Sequence, residues 1–186
     1  MSKEISILLG PPLAGKSTFA LTQPQYLHTS MGYLCNQEIK SNSVEGKYFA
    51  ESLKYGLAIP SFLLIPMIQK YIELSENKLI LLDGFPKSEE EANCLLYMAT
   101  VCGYKLSSIY ILQRTEEDLL ARLQKRTVCD KCYKPINFKT CACGGVSIIR
   151  PEDTPEYFEK RYARYTANSK QIVKTLQSHF KNTIYV

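Results

Sequence analysis

Short apolar runs recur along this chain at 5–9, 26–29, 79–82, 109–112 and 183–186, and longer stretches of helical period separate them. Runs of four or five apolar residues are of strand length, and near-continuous hydrophobicity suits strands covered on both faces. Between them the spacing predicts helices over 16–22, 32–41, 47–55, 61–75, 88–102, 116–124 and 155–180, the last with Tyr157, Tyr162, Tyr165 and Ile172 on a roughly helical period. Short strands alternating with helices argue for an α/β fold with a five-stranded parallel sheet flanked by helices. Gly56-Leu57-Ala58-Ile59-Pro60 and Arg150-Pro151-Glu152-Asp153-Thr154-Pro155 punctuate the pattern and mark the edges of two insertions.

The first apolar run feeds Gly10-Pro11-Pro12-Leu13-Ala14-Gly15-Lys16-Ser17-Thr18, which fits the phosphate-loop pattern G-x-x-x-x-G-K-[ST]. A buried strand, a Gly-bearing turn and the start of a helix together present backbone N–H groups and the positive end of the helix dipole to an anion. Lys16 is placed to reach the terminal phosphates, and the Ser17 hydroxyl to complete a magnesium shell. An ordinary strand-to-helix turn with an exposed lysine is the alternative, and the strand in front of the loop weighs against it.

With 186 residues the chain is expected to form one domain over 1–186. A net charge of +5 suits a protein that handles phosphates but falls short of the basic stripe that nucleic-acid binding requires. No apolar run approaches the roughly 18 residues a membrane span needs, so a soluble, cytoplasmic protein with no membrane partner is expected. Of seven cysteines, Cys35, Cys94 and Cys102 are scattered, whereas Cys129, Cys132, Cys141 and Cys143 share one window. Two close pairs of soft ligands have the spacing of a metal knuckle, and four thiolates would make a closed, structural zinc site. Free or redox-paired thiols are the alternative. A nucleic-acid-binding zinc ribbon is disfavoured, because Lys131, Lys134 and Lys139 have no aromatic stacking platform.

Asp83-Gly84-Phe85-Pro86-Lys87 directly follows the apolar run 79–82, and Arg122, Arg126, Arg150 and Arg161 surround the cysteine-bearing insertion. With the phosphate loop, these segments resemble the adenylate kinase family of nucleoside monophosphate kinases over essentially the whole chain. The resemblance implies a P-loop kinase core with a monophosphate-binding insertion over 31–60 and a zinc-binding lid over 127–150. It implies magnesium with ATP as phosphoryl donor, a nucleoside monophosphate as acceptor, and a monomer. Carried over residue by residue, it implies ATP contacts at Leu13, Ala14, Gly15, Lys16, Ser17, Thr18, Arg122 and Arg126. Monophosphate contacts fall at Met31, Asn36, Ile59, Gly84, Lys87, Glu91, Arg150 and Arg161, and catalytic roles at Lys16, Asp83, Arg122, Arg150 and Arg161. Asp83 would hold magnesium through water, a turn cap being its plainer role.

The chemistry explains the cations. Phosphoryl transfer between two nucleotides crowds anionic oxygens together, so charge neutralisation and alignment dominate, and planar guanidinium forks suit the task. The acceptor oxygen is already ionised, no general base is needed, and His28 and His179 are left to strand or surface roles. Each arginine taken alone could be part of a solvated face, and Arg164 has no counterpart in the family pattern.

Several positions depart from that pattern. Thr-Gly-Asp, hydrophobics and Arg become Met31-Gly32-Tyr33-Leu34-Cys35-Asn36, which puts a neutral amide where an anion-binding arginine is usual. Lys87 stands for an arginine and Glu91 for the glutamine that reads adenine. A carboxylate only accepts hydrogen bonds, which suits the two adjacent donors of guanine better than adenine's donor and acceptor. Leu13 stands where glycine is common, and the second cysteine pair is Cys-x-Cys where Cys-x-x-Cys is usual. The leading function is therefore an ATP-dependent monophosphate kinase, its acceptor AMP or another monophosphate. A weakened or inactive nucleotide-binding relative and a zinc-bearing interaction module are the alternatives.

Overall fold

Alternation along the first strand divides the interior in two. In the computed structural model, Ile5, Ile7 and Leu9 enter one buried cluster with Ile80, Leu82, Ile109 and Ile111. Leu8 and Leu81 point the other way, into a second cluster with Ala14, Leu112, Leu119 and Phe158. Both faces of the sheet are thus dry, as parallel strands with helical crossovers require. The structure describes residues 3–186 apart from 56, 77, 133, 134, 137, 151 and 152, and of Leu53 only the backbone. Lys134 and the boundary positions Gly56, Pro151 and Glu152 therefore lie outside the described residues.

In chain order the elements are β1 (Glu4–Leu9), α1 (Lys16–Leu21), β2 (Leu27–Ser30), α2 (Met31–Lys40), α3 (Val44–Lys54), α4 (Ser61–Leu74), β3 (Leu79–Asp83), α5 (Glu89–Cys102), β4 (Lys105–Ile111), α6 (Glu116–Leu123), β5 (Val128–Cys129), β6 (Ser147–Ile148), α7 (Pro155–Leu176) and β7 (Asn182–Tyr185). The five-stranded sheet has the order β2-β3-β1-β4-β7 and every pairing in it is parallel. Leu8 and Ser30 both lie in register with Asp83, so the chain leaves β1, β2 and β3 at one edge. Open α/β sheets place their ligand crevice there.

Hydroxyl caps start the helices at that edge. Ser30, Ser88, Thr115 and Thr154 accept hydrogen bonds from the third residue on, at the starts of α2, α5, α6 and α7. Helix α1 differs, because its N-cap Gly15 offers no side chain to the first amides. Where elements shift from expectation, local bonds explain it. Helix α3 begins at Val44 because the Ser43 hydroxyl accepts from Gly46 N–H at 2.9 Å. β4 begins at Lys105 because pairing with Glu4 and Ile5 buries the polar Ser107 and Ser108. Within the cysteine-bearing insertion β5 and β6 form a separate antiparallel pair, which no apolar run announces.

Candidate functional site

The loop after β1 is wound tightly. Ala14 N–H donates to Pro11 O at 3.2 Å, and Leu13 and Gly15 both take positive φ, 65° and 92°. Leu13 accepts that conformation at a cost of about 1–2 kcal/mol because its side chain, 8% exposed, fills the second cluster. Space adds only a small demand at Gly15, because what a side chain would meet there is the movable end of Arg122. A Cβ there would lie 2.9 Å from Arg122 Nη1, whose guanidinium rests against the loop and donates to Ala14 O at 3.4 Å. Lys16 Nζ donates to Gly10 O at 2.9 Å and Pro11 O at 2.8 Å, and Thr18 is exposed.

Asp83 ends β3, is 5% exposed, and faces the helix that opens at Lys16. The Ser17 hydroxyl donates to its Oδ2 at 3.4 Å, and His28 Nε2 lies 3.2 Å from the same oxygen. Nothing but strand alternation in the sequence marks His28: it shares a side of β2 with Ser30, which is in register with Asp83. Hydroxyl and carboxylate oxygens facing one another fit a hard, oxygen-seeking magnesium ion.

The cations converge on this point. Burial holds the Lys16 ammonium down to about 8, Asp83 partly offsets this, and the charges of Arg161, Lys87 and Arg126 push it lower. Arg126 Nη1 donates to both Asp153 carboxylate oxygens at 3.2 Å, and Arg161 Nη1 lies 3.9 Å from Oδ1. The Asp153 side chain is 1% exposed, so a buried carboxylate ties the start of the cysteine-bearing insertion to α7. Sequence reasoning passed it over; an acid three residues from Arg150 and eight from Arg161 was the available signal. Arg150 is half-buried, and its carbonyl accepts from Asp153 N–H at 3.0 Å.

On the other side of Asp83, Gly84 takes φ 79° between Met31 and the Lys87 stem. Met31 is 4% exposed at the start of α2, and Ile59 is packed against the first core cluster. The Asn36 amide turns back on its own helix and donates to Gly32 O at 2.8 Å. Lys87 is exposed as a residue, while its ammonium is lowered first by desolvation and further by Arg161 and Arg164, and Glu91 acts to raise it. Glu91 Oε2 accepts the Lys87 backbone N–H at 2.6 Å, closing a cap in which Ser88 Oγ accepts from Glu91 N–H at 3.1 Å. Burial raises the Glu91 carboxyl against the pull of that N–H and of Lys87.

The four clustered cysteines fit a tetrahedral ion. Their sulfurs all lie within 4.8 Å of one another, with Cys129 to Cys143 at 3.4 Å and Cys132 to Cys141 at 3.7 Å. A tetrahedron of 2.3 Å zinc–sulfur bonds has edges of about 3.8 Å. Backbone N–H groups of Lys131 and Cys132 donate to Cys129 Sγ at 3.4 and 3.5 Å, the arrangement a thiolate needs. A Cβ on Gly145 would fall inside contact distance of Cys129 Sγ and 2.5 Å from Asp130 Oδ1, so the knuckle closes only around glycine.

Residues 8–181 match the family model described as adenylate kinase. The chain is similar to proteins named adenylate kinase from Pyrococcus horikoshii, 33% identical over 97% of this chain and 86% of that protein, and Pyrococcus abyssi, 32% identical over 97% and 86%. It is also 29% identical to an adenylate kinase of Thermosipho africanus, over 94% of this chain and 88% of that one.

Proposed function

We propose a division of labour within the crevice from the premise that this chain belongs to the adenylate kinase family and is a nucleoside monophosphate phosphotransferase. Adenylate kinases use ATP with magnesium. Leu13 to Thr18 wrap the donor's phosphates with backbone N–H groups, Lys16 reaches the transferring group, and Arg122 and Arg126 cover the outer side. Ser17 and, through water, Asp83 would hold magnesium, which supplies charge neutralisation across the donor's phosphates. His28 holds Asp83 from behind. Arg150 and Arg161 span both substrates, and Lys87, beside Gly84 and Met31, meets the acceptor's phosphate. Asn36 and Ile59 line the same insertion.

The observation that carries this reading is the loop lysine Lys16, whose ammonium feels Asp83 together with the charges of Arg161, Lys87 and Arg126, beside a Ser17 hydroxyl that donates to Asp83. Aligning two polyanions is the main task, and fixed cations perform it without reorganising during transfer. Water reaching the transferring group would waste ATP, so the lid over 127–150 closes above the donor and the insertion over 31–60 above the acceptor. We assign zinc to Cys129, Cys132, Cys141 and Cys143, where it makes the lid a rigid flap.

A second reading concerns the acceptor's base. The relatives' name points to AMP, whereas Glu91 presents a carboxylate with one oxygen already engaged, a pure acceptor suited to guanine's paired donors. Turnover with ATP on AMP, GMP, CMP, UMP and dTMP tests both. Diphosphate formation is expected, with GMP at least equal to AMP. AMP as by far the best acceptor withdraws the guanine reading alone, and no turnover on any of the five removes both.

A further inference from the structure

The acceptor side carries fewer cations than the donor side. Asn36 spends its amide on Gly32 O, and the Lys87 ammonium shares its surroundings with Glu91. One further guanidinium faces this ground. Arg164 lies one helical turn beyond Arg161 on α7, is exposed, and makes no side-chain hydrogen bond or ion pair among the described residues.

Its direction follows from the helix. Arg164, Gln171 and Thr175 are spaced seven and eleven residues apart and therefore share one stripe of α7. Gln171 Nε2 and Thr175 Oγ1 both donate to Glu89 Oε1, at 2.8 and 3.4 Å, so that stripe looks onto the first turn of α5. Arg164 stands about 10 Å from Gln171 along the axis, toward the end where Arg161 meets the crevice. Glu91 belongs to the same turn of α5 and Lys87 to the loop that leads into it. The Arg164 charge reaches both, lowering the Lys87 ammonium and favouring ionised Glu91.

We propose that Arg164 is a binding residue for the acceptor, supplying a mobile guanidinium to the phosphate dianion of the nucleoside monophosphate beside Lys87. This rests on reading the Lys87 crevice as the acceptor's site. An unpaired guanidinium costs little to recruit, because no existing bond has to break, and it can fork two phosphate oxygens where the Lys87 ammonium offers a point charge.

Steady-state kinetics of Arg164→Gln and Lys87→Ala, run with saturating magnesium-ATP and varied AMP or GMP, test it. Arg164→Gln is expected to raise KM for the monophosphate about tenfold, with KM for ATP within twofold and an unchanged melting temperature, since the residue is exposed. Raising salt from 50 to 300 mM should narrow the gap to wild type, because the lost interaction is between charges. If Arg164→Gln leaves the acceptor KM within twofold while Lys87→Ala raises it, Arg164 is a solvated surface charge and the proposal fails with the crevice intact. If neither variant moves the acceptor KM, the crevice is not the acceptor's and both readings fall. A rise in the ATP KM alone, or a gap indifferent to salt, also overturns the assignment.

Discussion

Leu13 shows how a single residue can hold an unfavourable conformation by being useful elsewhere. Its φ of 65° costs about 1–2 kcal/mol, whereas removing a buried leucine side chain costs about 2–5 kcal/mol. Packing wins, so leucine persists where glycine would relax the backbone. Two substitutions separate the contributions. Leu13→Ala loses the packing and keeps the strain, and Leu13→Gly loses the packing and relieves it. Urea unfolding should rank wild type first, Leu13→Gly second and Leu13→Ala last, the two variants about 1 kcal/mol apart after allowing for glycine's greater unfolded-state entropy. A glycine variant less stable than the alanine variant would mean the loop stores no strain at this position. At Gly15 in the same loop the φ of 92° is the main reason for glycine, since the Arg122 guanidinium that a side chain would meet can swing aside.

At the scale of elements, the cysteine-bearing insertion has little core of its own, and the zinc proposed above would hold it together. β5 and β6 are two residues each and Phe138 is 80% exposed, so little apolar surface is buried to hold the insertion together. Cys129, by contrast, is fully buried and receives two backbone N–H groups. Gly145→Ala should therefore act through the cysteines: the added methyl pushes on Cys129 Sγ, zinc content falls well below one per chain, and the melting temperature falls with it. Metal analysis with thermal unfolding checks this, and a variant that keeps full zinc and full stability would show that the knuckle tolerates a side chain. The four-cysteine spacing was legible in the sequence, as were the phosphate loop and the alternation of strands and helices, because each rests on local pattern. β4 was read short, since its opening residues Lys105 to Ser108 are mostly polar and only pairing with β1 makes them strand. From sequence, His28 takes a strand or surface role and Asp153 no site role, for a related reason. Their partners, Asp83, Arg126 and Arg161, are brought to them by parallel register and by a helix start, and neither is visible along the chain.

The whole molecule concentrates positive charge where its strands end, and that concentration sets stability against function. Lys16 titrates near its ordinary 10.5 when unfolded and near 8 when folded, because burial and the charges of Arg161, Lys87 and Arg126 outweigh the help of Asp83. Between those values the unfolded chain binds more protons than the folded one, so this group makes stability climb as pH rises from about 8 toward 10; below about 8 it is charged in both states and its full cost stands. Substrate capture runs the other way. An ammonium attracts a terminal phosphate and a neutral amine does not, so kcat/KM for ATP, which reports the free enzyme, should fall as pH passes about 8. Other groups titrate in this range, and Lys16→Met removes only the one in question. Urea unfolding of wild type and variant at pH 7, 8, 9 and 10 should show the wild type gaining stability relative to Lys16→Met as pH rises, while its kcat/KM for ATP declines over the same interval. A constant difference between the two chains, or an ATP profile flat to pH 10, would show that the lysine keeps its solution pKa and that the cations around it do not act on one another.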